Sequence, residues 1–204
     1  MKDILLTAEE AIKIGEDLGA DEVEAYTVLV DRKKVDLAGN MWTLYTNVTS
    51  GLGVRVIVNK KIGFFATSSL TSRDVKDAVS MAYKIAKLSE ADNEWVSLPT
   101  RSGKVDVEET FDKGIAEIEP NALVTDMIQM TDTVKSCGEN LAITRGEVAT
   151  EMVWTAISNS HKCSMHREET FASADISVKA EEAGIKGLSS ESEQVRNLRE
   201  LNLT

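Results

Sequence analysis

The segment that most constrains the fold is residues 51–67, which carries the sequence GLGVRVIVNKKIGFFAT. Valines alternate with Arg55 and Ile57, a pattern typical of a β-strand with one buried face. The polar residues 59–61 give a turn signal, and residues 62–67 predict the return strand. The sequence therefore predicts a β-hairpin, with glycines at places where bulges or close backbone approach are common.

Helices are predicted on either side of this hairpin. The capping box Thr7 to Glu10 predicts a helix start, and Gly19 predicts its end. Residues 22–37 and 42–49 alternate as further strands. A second helix begins after Thr71, and its apolar stripe is expected to be buried against the sheet. The stripe consists of Val75, Val79, Ala82 and Ala86.

The second half of the chain repeats this plan without sequence identity. Pro120 at a first helical position predicts a helix that Gly138 ends. Residues 141–159 predict one or two strands with Gly146 as a possible turn, residues 163–179 predict a return strand, and residues 181–184 and 187–190 predict loops. The tail predicts a short helix without a partner, and it carries Val195, Leu198 and Leu201.

These elements predict an α+β fold with antiparallel strands backed by helices. We expect two small domains, at residues 1–95 and 105–190, followed by a linker at residues 191–204. Arg55 lies opposite the valine face, and we expect it to face solvent or a partner.

Composition limits the classes of function. The chain has 204 residues, a net charge of −11 and a pI near 4.8. Such an acid excess argues against direct binding to nucleic acid and suits neutral or basic peptides. No apolar stretch is long enough for a signal peptide or a membrane span, and two cysteines make no disulfide framework. We expect a cytoplasmic protein without membrane contact.

The cluster His161, Cys163 and His166 carries good zinc-ligand types. On a strand, however, His166 points away from the other two, and no second Cys or His cluster completes four ligands. Cys137 stands alone and predicts a structural or free thiol. The sequence therefore predicts no catalytic, cofactor-binding or metal-binding residue in this chain.

Several pieces in this order resemble the first two domains of the TldD/PmbA (TldE) family, also called modulators of DNA gyrase. They are the segment from Ala20 to Tyr26, the hairpin at residues 51–67, the segment from Leu70 to Asp74, the strand pair at residues 143–180 and the linker-like segment from Val195 to Leu201. The hairpin string Gly-x-Gly-x-Arg-x-Ile, followed by Gly-Phe-x-x-Thr, is the most specific of them.

The resemblance implies a role in zinc-dependent proteolysis or maturation of peptides. In that family, a TldD and a TldE subunit assemble and cleave unfolded peptides in a chamber, and zinc sits on a His-Glu-x-x-x-His helix in a third domain. This sequence has no such motif, so the implied role is scaffold, chamber wall and subunit contact. Zinc is expected only if a further domain of the TldD type accompanies the chain.

Two alternatives remain open at the level of sequence. One is a non-enzymatic module that binds extended peptide at a strand edge, and the other is a structural partner subunit of the PmbA/TldE type. The expected partners are a TldD/TldE-like subunit or a second copy, with a homodimer favoured by the apolar residues of the tail.

Overall fold

The computed structural model describes residues 4–103, 107 and 109–203. Its helices and strands are, in chain order, α1 (Ile4–Asp17), β1 (Glu22–Ala38), β2 (Met41–Val58), β3 (Lys61–Thr67), α2 (Ser72–Leu88), α3 (Lys113–Ala116), α4 (Pro120–Cys137), β4 (Leu141–Asn159), β5 (Ser164–Glu182) and β6 (Ile185–Val195), followed by a 3-10 turn at Leu198–Glu200. The strands form one sheet in the order β3-β2-β1-β4-β5-β6. The predicted α+β class is confirmed.

The hairpin of β2 and β3 forms as the sequence predicts. Asn59 and Lys60 have φ angles of 51° and 62°. A two-residue hairpin turn that matches the right-handed twist of its strands requires such positive values. Val58 then pairs with Lys61, and Val54 with Phe65. The side chain of Arg55 is 43% exposed and lies 3.6 Å from Glu24, on the side that the alternation predicts.

Strand β2 is longer than the sequence indicates. Residues 42–49 and the first hairpin strand were expected to be separate, but one continuous strand runs from Met41 to Val58. Gly51 and Gly53 do not interrupt it, because β1 is nearly as long and lies beside it in the sheet. A glycine weakens a strand but does not end one that has a paired neighbour.

The helix start at Thr7 is wrong by three residues. Helix α1 begins at Ile4, and Thr7 is fully buried inside it. The carbonyl of Ile4 accepts a hydrogen bond from the Thr27 hydroxyl at 2.9 Å, so a tertiary contact favours the earlier start. The predicted end is confirmed: Gly19 has a φ of 84° and, with Ala20, closes the helix by bonds to Glu16 and Gly15.

Among the described residues, one compact unit contains residues 4–30, 49–103 and 153–168. Its core joins α1 and α2 to β1 and β2, and the predicted stripe on α2 is buried in it. Thr71 caps α2 by accepting the N–H of Asp74, which confirms the predicted start. Gly63 of β3 lies directly under α2, since a Cβ there would stand 2.0 Å from the carbonyl oxygen of Ala82.

A second compact unit contains residues 31–48, 107, 109–152 and 169–203. Helix α4 begins at Pro120 as predicted and contributes Leu123, Met127 and Met130 to the core. Gly146 is not a turn: it lies inside β4, where a Cβ would stand 3.1 Å from the sulfur of Met127. The glycine therefore makes room for the helix.

The predictions for the end of the chain are corrected in part. Residues 185–195 form β6, where the sequence indicated loops and a polar tail, and Ala183 and Gly184 make the turn before it. The pairing with β5 is antiparallel from Glu182–Ile185 to Ala172–Val195. Leu201 and Leu203 pack against the core of the second unit, so the tail does have a partner within the chain.

The expected domains are continuous stretches of sequence. The compact units are not, because the long strands contribute residues to both units. Residue 105, where the second domain was expected to begin, lies outside the described residues. The division into domains at 1–95 and 105–190, with a linker at 191–204, stays a prediction about independent folding.

Candidate functional site

The first half of β2 forms an open sheet edge, which we call the edge segment and define as Met41–Val48. Strand β3 pairs with β2 only between Leu52 and Val58, and β1 lies on the other side of β2. All residues of the edge segment are exposed. The side of this segment away from β1 therefore presents backbone N–H and C=O groups with no neighbouring strand among the residues that the structure describes.

The edge segment also exposes apolar side chains. The ammonium of Lys34 lies 5.0 Å from the ring centroid of Tyr45, which places Tyr45 on the polar face of the sheet. By strand alternation, Trp42, Leu44 and Val48 lie on the opposite face, where they are 42%, 43% and 61% exposed. This face therefore carries an uncovered apolar strip, which consists of those three residues.

Natural sheet edges are commonly protected by lysine, proline, bulges or short length. The edge segment has the sequence MWTLYTNV, which contains neither charge nor proline. Eight residues of extended strand span about 26 Å. The segment therefore has the length and chemistry to accept another extended chain.

The polar face beside Tyr45 holds a compact charge network. Glu147 accepts hydrogen bonds from Lys34 at 2.9 Å and from Arg32 at 2.7 Å, and Asp36 lies 3.0 Å from Lys34. Burial lowers the pKa of Lys34, but its contacts with Tyr45, Glu147 and Asp36 raise the pKa by more. Lys34 is therefore held charged, and the network fixes the face of the sheet from which Tyr45 projects.

A second polar cluster surrounds Glu22 at the start of β1. Its carboxylate accepts hydrogen bonds from a connector segment, residues 95–98, whose donors are Trp95 Nε1 at 2.9 Å, Ser97 Oγ at 2.6 Å and the backbone N–H of Leu98 at 3.3 Å. His161 Nε2 lies 2.7 Å from Glu22 Oε1. The cluster thus attaches the connector to the first unit.

The His and Cys residues for which the sequence predicts no zinc site are used in this and neighbouring contacts. His161 contacts Glu22, the thiol of Cys163 lies 3.2 Å from the carbonyl oxygen of Pro99, and His166 lies on β5. Cys137 is exposed at the end of α4, and its thiol donates to the carbonyl of Thr133. Within the described part of the chain, no group of three or more His, Cys, Asp or Glu residues is placed to hold a metal.

The trio Ser97, His161 and Glu22 has the composition of a hydrolase triad but not its geometry. Ser97 Oγ lies 3.2 Å from His161 Nε2, the same nitrogen that contacts Glu22. In a triad the acid contacts one ring nitrogen and the nucleophile contacts the other, so that a proton can pass between them. The cluster therefore has a structural role at the connector.

Glu22 makes the stability of the first unit pH-dependent. Burial raises the pKa of Glu22, but the hydrogen bonds of the cluster lower it by more, so the folded pKa lies below the ordinary value of 4.5. A lowered pKa stabilises the fold above 4.5, and this contribution is lost as the pH falls toward the folded pKa. We expect Glu22→Gln to flatten the loss of stability between pH 5 and pH 3, as measured by urea unfolding at each pH.

The control for this prediction is Glu94→Gln, an exposed carboxylate directly before the connector segment. Its variant should keep the wild-type pH profile. Equal slopes for wild type and Glu22→Gln would contradict the stated role of Glu22.

These features are predicted from the sequence only in part. Residues 42–49 were predicted as a strand with Trp42 and Leu44 on one side, but a strand pattern alone does not show which strand is its neighbour. The Glu22 cluster was missed, because the partners of Glu22 lie 73 to 139 residues away from it along the chain.

The hairpin and α2 are the part of the chain that a family model covers. Residues 39–86 match the model described as PmbA/TldA metallopeptidase domain 1. Over these residues the chain is similar to the first domain of the PmbA/TldD family. The matched residues contain the edge segment, the turn at Asn59 and the buried stripe of α2.

Other similar proteins extend the likeness to nearly the whole chain. The uncharacterized protein MJ0231 of Methanocaldococcus jannaschii is 27% identical over 171 residues, which are 83% of this chain and 38% of that protein. The crystal structure of TldE from Thermococcus kodakarensis aligns with a TM-score of 0.85 at 22% identity, over 97% of this chain and 44% of that one. A Bacteroides thetaiotaomicron protein named as a candidate modulator of DNA gyrase gives a TM-score of 0.84 at 13% identity, over 97% and 46%.

The chain thus spans less than half the length of these relatives. The structural likenesses establish the fold. No helix in the described ranges is both long and apolar enough to cross a bilayer.

Proposed function

We propose that this chain is the scaffold and peptide-handling part of a PmbA/TldD-type protein, and that its edge segment receives an extended peptide as an added strand. The observation that carries the proposal is the open, uncharged edge of β2 between Met41 and Val48. In this view the chain serves proteolysis or maturation of peptides in the cytoplasm without performing the cleavage.

The chemistry of the edge fits an unfolded peptide. Backbone groups give affinity that is independent of peptide sequence, while side chains at alternate positions give some preference. Trp42 and Leu44 supply an apolar surface beside the edge. The net charge of −11 disfavours acidic peptides and favours neutral or basic ones.

The proposal assigns no catalytic residue and no metal ligand to this chain. The family model is described by a metallopeptidase name, but the described residues do not fit a metal site, since His161 and Cys163 are committed to Glu22 and Pro99. Cleavage would then depend on a partner subunit of the TldD type or on a further domain.

A structural partner subunit is the second candidate function. The exposed strip of Trp42, Leu44 and Val48 favours it, because a contiguous apolar surface suits a stable protein contact. The partner would be a TldD/TldE-like subunit or a second copy of the chain.

The test is binding of a fluorescein-labelled neutral peptide of alternating threonine and valine, followed by fluorescence anisotropy. Val58 faces β3 in its pair with Lys61, and backbone N–H groups alternate in direction along a strand. The N–H of Thr46, an even number of residues earlier, therefore points to the same side, away from β1. Thr46→Pro removes that N–H at a position where an edge strand tolerates proline. We expect Thr46→Pro to weaken peptide binding about tenfold or more, because the proline removes one hydrogen bond to the peptide and disturbs the neighbouring ones along the same strand.

The matched control is Ser190→Pro, which places proline in β6, the other edge strand of the sheet. This variant should bind the peptide like wild type. Circular dichroism serves to check that both variants fold. Absence of binding by wild type, or equal loss in both variants, would contradict the peptide function. Association of wild type that Leu44→Lys abolishes, in a chain that binds no peptide, would instead support the partner function.

A further inference from the structure

A groove of about 400 Å³ lies in the second unit, and neither the edge segment nor the Glu22 cluster contributes to it. Helix α4, strands β5 and β6 and the segment after the 3-10 turn form its walls. Its volume falls within the range of pockets that hold small ligands or single side chains.

The floor of the groove is apolar. Met130 and Ala174 belong to the buried core of the second unit, and Ile176 and Leu203 pack against that core. Because α4 covers β5 but not all of the space beside β6, the groove exposes part of the core to solvent. A ligand with an aliphatic body could therefore bury this surface.

The rim of the groove is acidic. Glu191 pairs with Ile176 and Glu193 with Ala174 in the β-ladder, so both carboxylates lie on the face of the floor. Glu193 accepts the backbone N–H of Asn202 at 2.6 Å. The residues that line the groove include no lysine, arginine or histidine within the described chain, which leaves a negative rim beside an apolar floor.

We propose that this groove binds a lysine side chain of a polypeptide partner. The four methylene groups of lysine would cover Met130 and Ile176, and the ammonium would lie between Glu191 and Glu193. Basic side chains commonly combine a buried apolar stem with a charged head in this way. The inference goes beyond the proposed function and does not depend on it, because the groove and the edge segment share no residue.

The test uses a capped peptide with one lysine flanked by leucines, and its binding is followed by amide shifts of labelled protein. A peptide with norleucine in place of lysine keeps the aliphatic stem and removes the charge. We expect the lysine peptide to shift the amides of residues 191–193 and 202–203 and to bind about fivefold or more tightly than the norleucine peptide.

Two substitutions distinguish a specific role of the rim carboxylate from a general effect of negative surface charge. Glu191→Gln is expected to weaken the lysine peptide about fivefold and to leave the norleucine peptide unchanged. Glu182→Gln is the control, because Glu182 is exposed on the same hairpin but does not line the groove. It should bind like wild type.

Equal affinity for the two peptides, shifts that lie elsewhere, an unchanged affinity of Glu191→Gln or no binding would each overturn the inference. Since this probe carries lysine and the probe for the edge segment is neutral, failure of one proposal is distinguishable from failure of the other.

Discussion

Replacing Gly63 with alanine is expected to destabilise the first unit by about 3 kcal/mol or more. An added Cβ would stand 2.0 Å from the carbonyl oxygen of Ala82 and 2.4 Å from the backbone nitrogen of Ala86. Both neighbours are backbone atoms of α2, so no side-chain rotation relieves the overlap. The helix has to move away from β3, which opens the core around Val79. Urea unfolding followed by near-ultraviolet circular dichroism measures the effect.

Gly187→Ala is the matched control for this prediction. Gly187 also lies in a strand, but a Cβ there meets nothing within 4 Å. This substitution should change stability by less than about 0.5 kcal/mol. If the two variants were equally stable, the close contact between Gly63 and α2 would not exist in solution.

Glu147→Ala is the second substitution with a large expected effect, at about 3 kcal/mol. The side chains of Glu147 and Lys34 are only 15% and 11% exposed. Removing the carboxylate leaves the Lys34 ammonium with Asp36 as its only carboxylate partner in a poorly hydrated place, and it also removes the nearer of the two carboxylate partners of Arg32, the other being Glu151. We place the cost at the lower end for a broken buried pair because Asp36 remains. Thermal and urea unfolding both measure it.

A double substitution tests whether the unpaired ammonium of Lys34 accounts for the cost. With Lys34→Met in the same chain, Glu147→Leu no longer leaves an unpaired ammonium at position 34, and well-packed apolar residues can replace a buried ion pair without loss. We expect the double variant to recover more than half of the stability lost in Glu147→Ala. If it were as unstable as the single variant, the cost would come from the lost contacts of Glu147 with Arg32 and Arg145 and not from the unpaired ammonium of Lys34.

The elements that the sequence predicts well are those whose signals are local. The turn at Asn59 and Lys60, the cap at Thr71, the stop at Gly19 and the proline at position 120 each depend on residues within a few positions. The buried stripe of α2 follows from a period of 3.6 residues. These local signals act independently of how distant parts of the chain pack.

The errors arise where a distant strand decides. Glycine is common in turns, yet Gly146 lies inside β4, because the side chain of Met127 in α4 occupies the space beside it. Residues 187–190 carry loop-forming glycine and serine, yet they are strand because β5 offers its edge to them. Local preference is weak compared with a row of backbone hydrogen bonds.

The sequence by itself determined the hairpin, the family resemblance that residues 39–86 confirm, and the amphipathic helices. Only the tertiary structure decided where the open edge lies, because β3 ends at Thr67 and leaves Met41–Val48 beyond its reach. It also brought Glu22 to His161 and Glu191 to the core of the second unit. These placements depend on which strands become neighbours, and strand order is fixed by the packing of the whole chain.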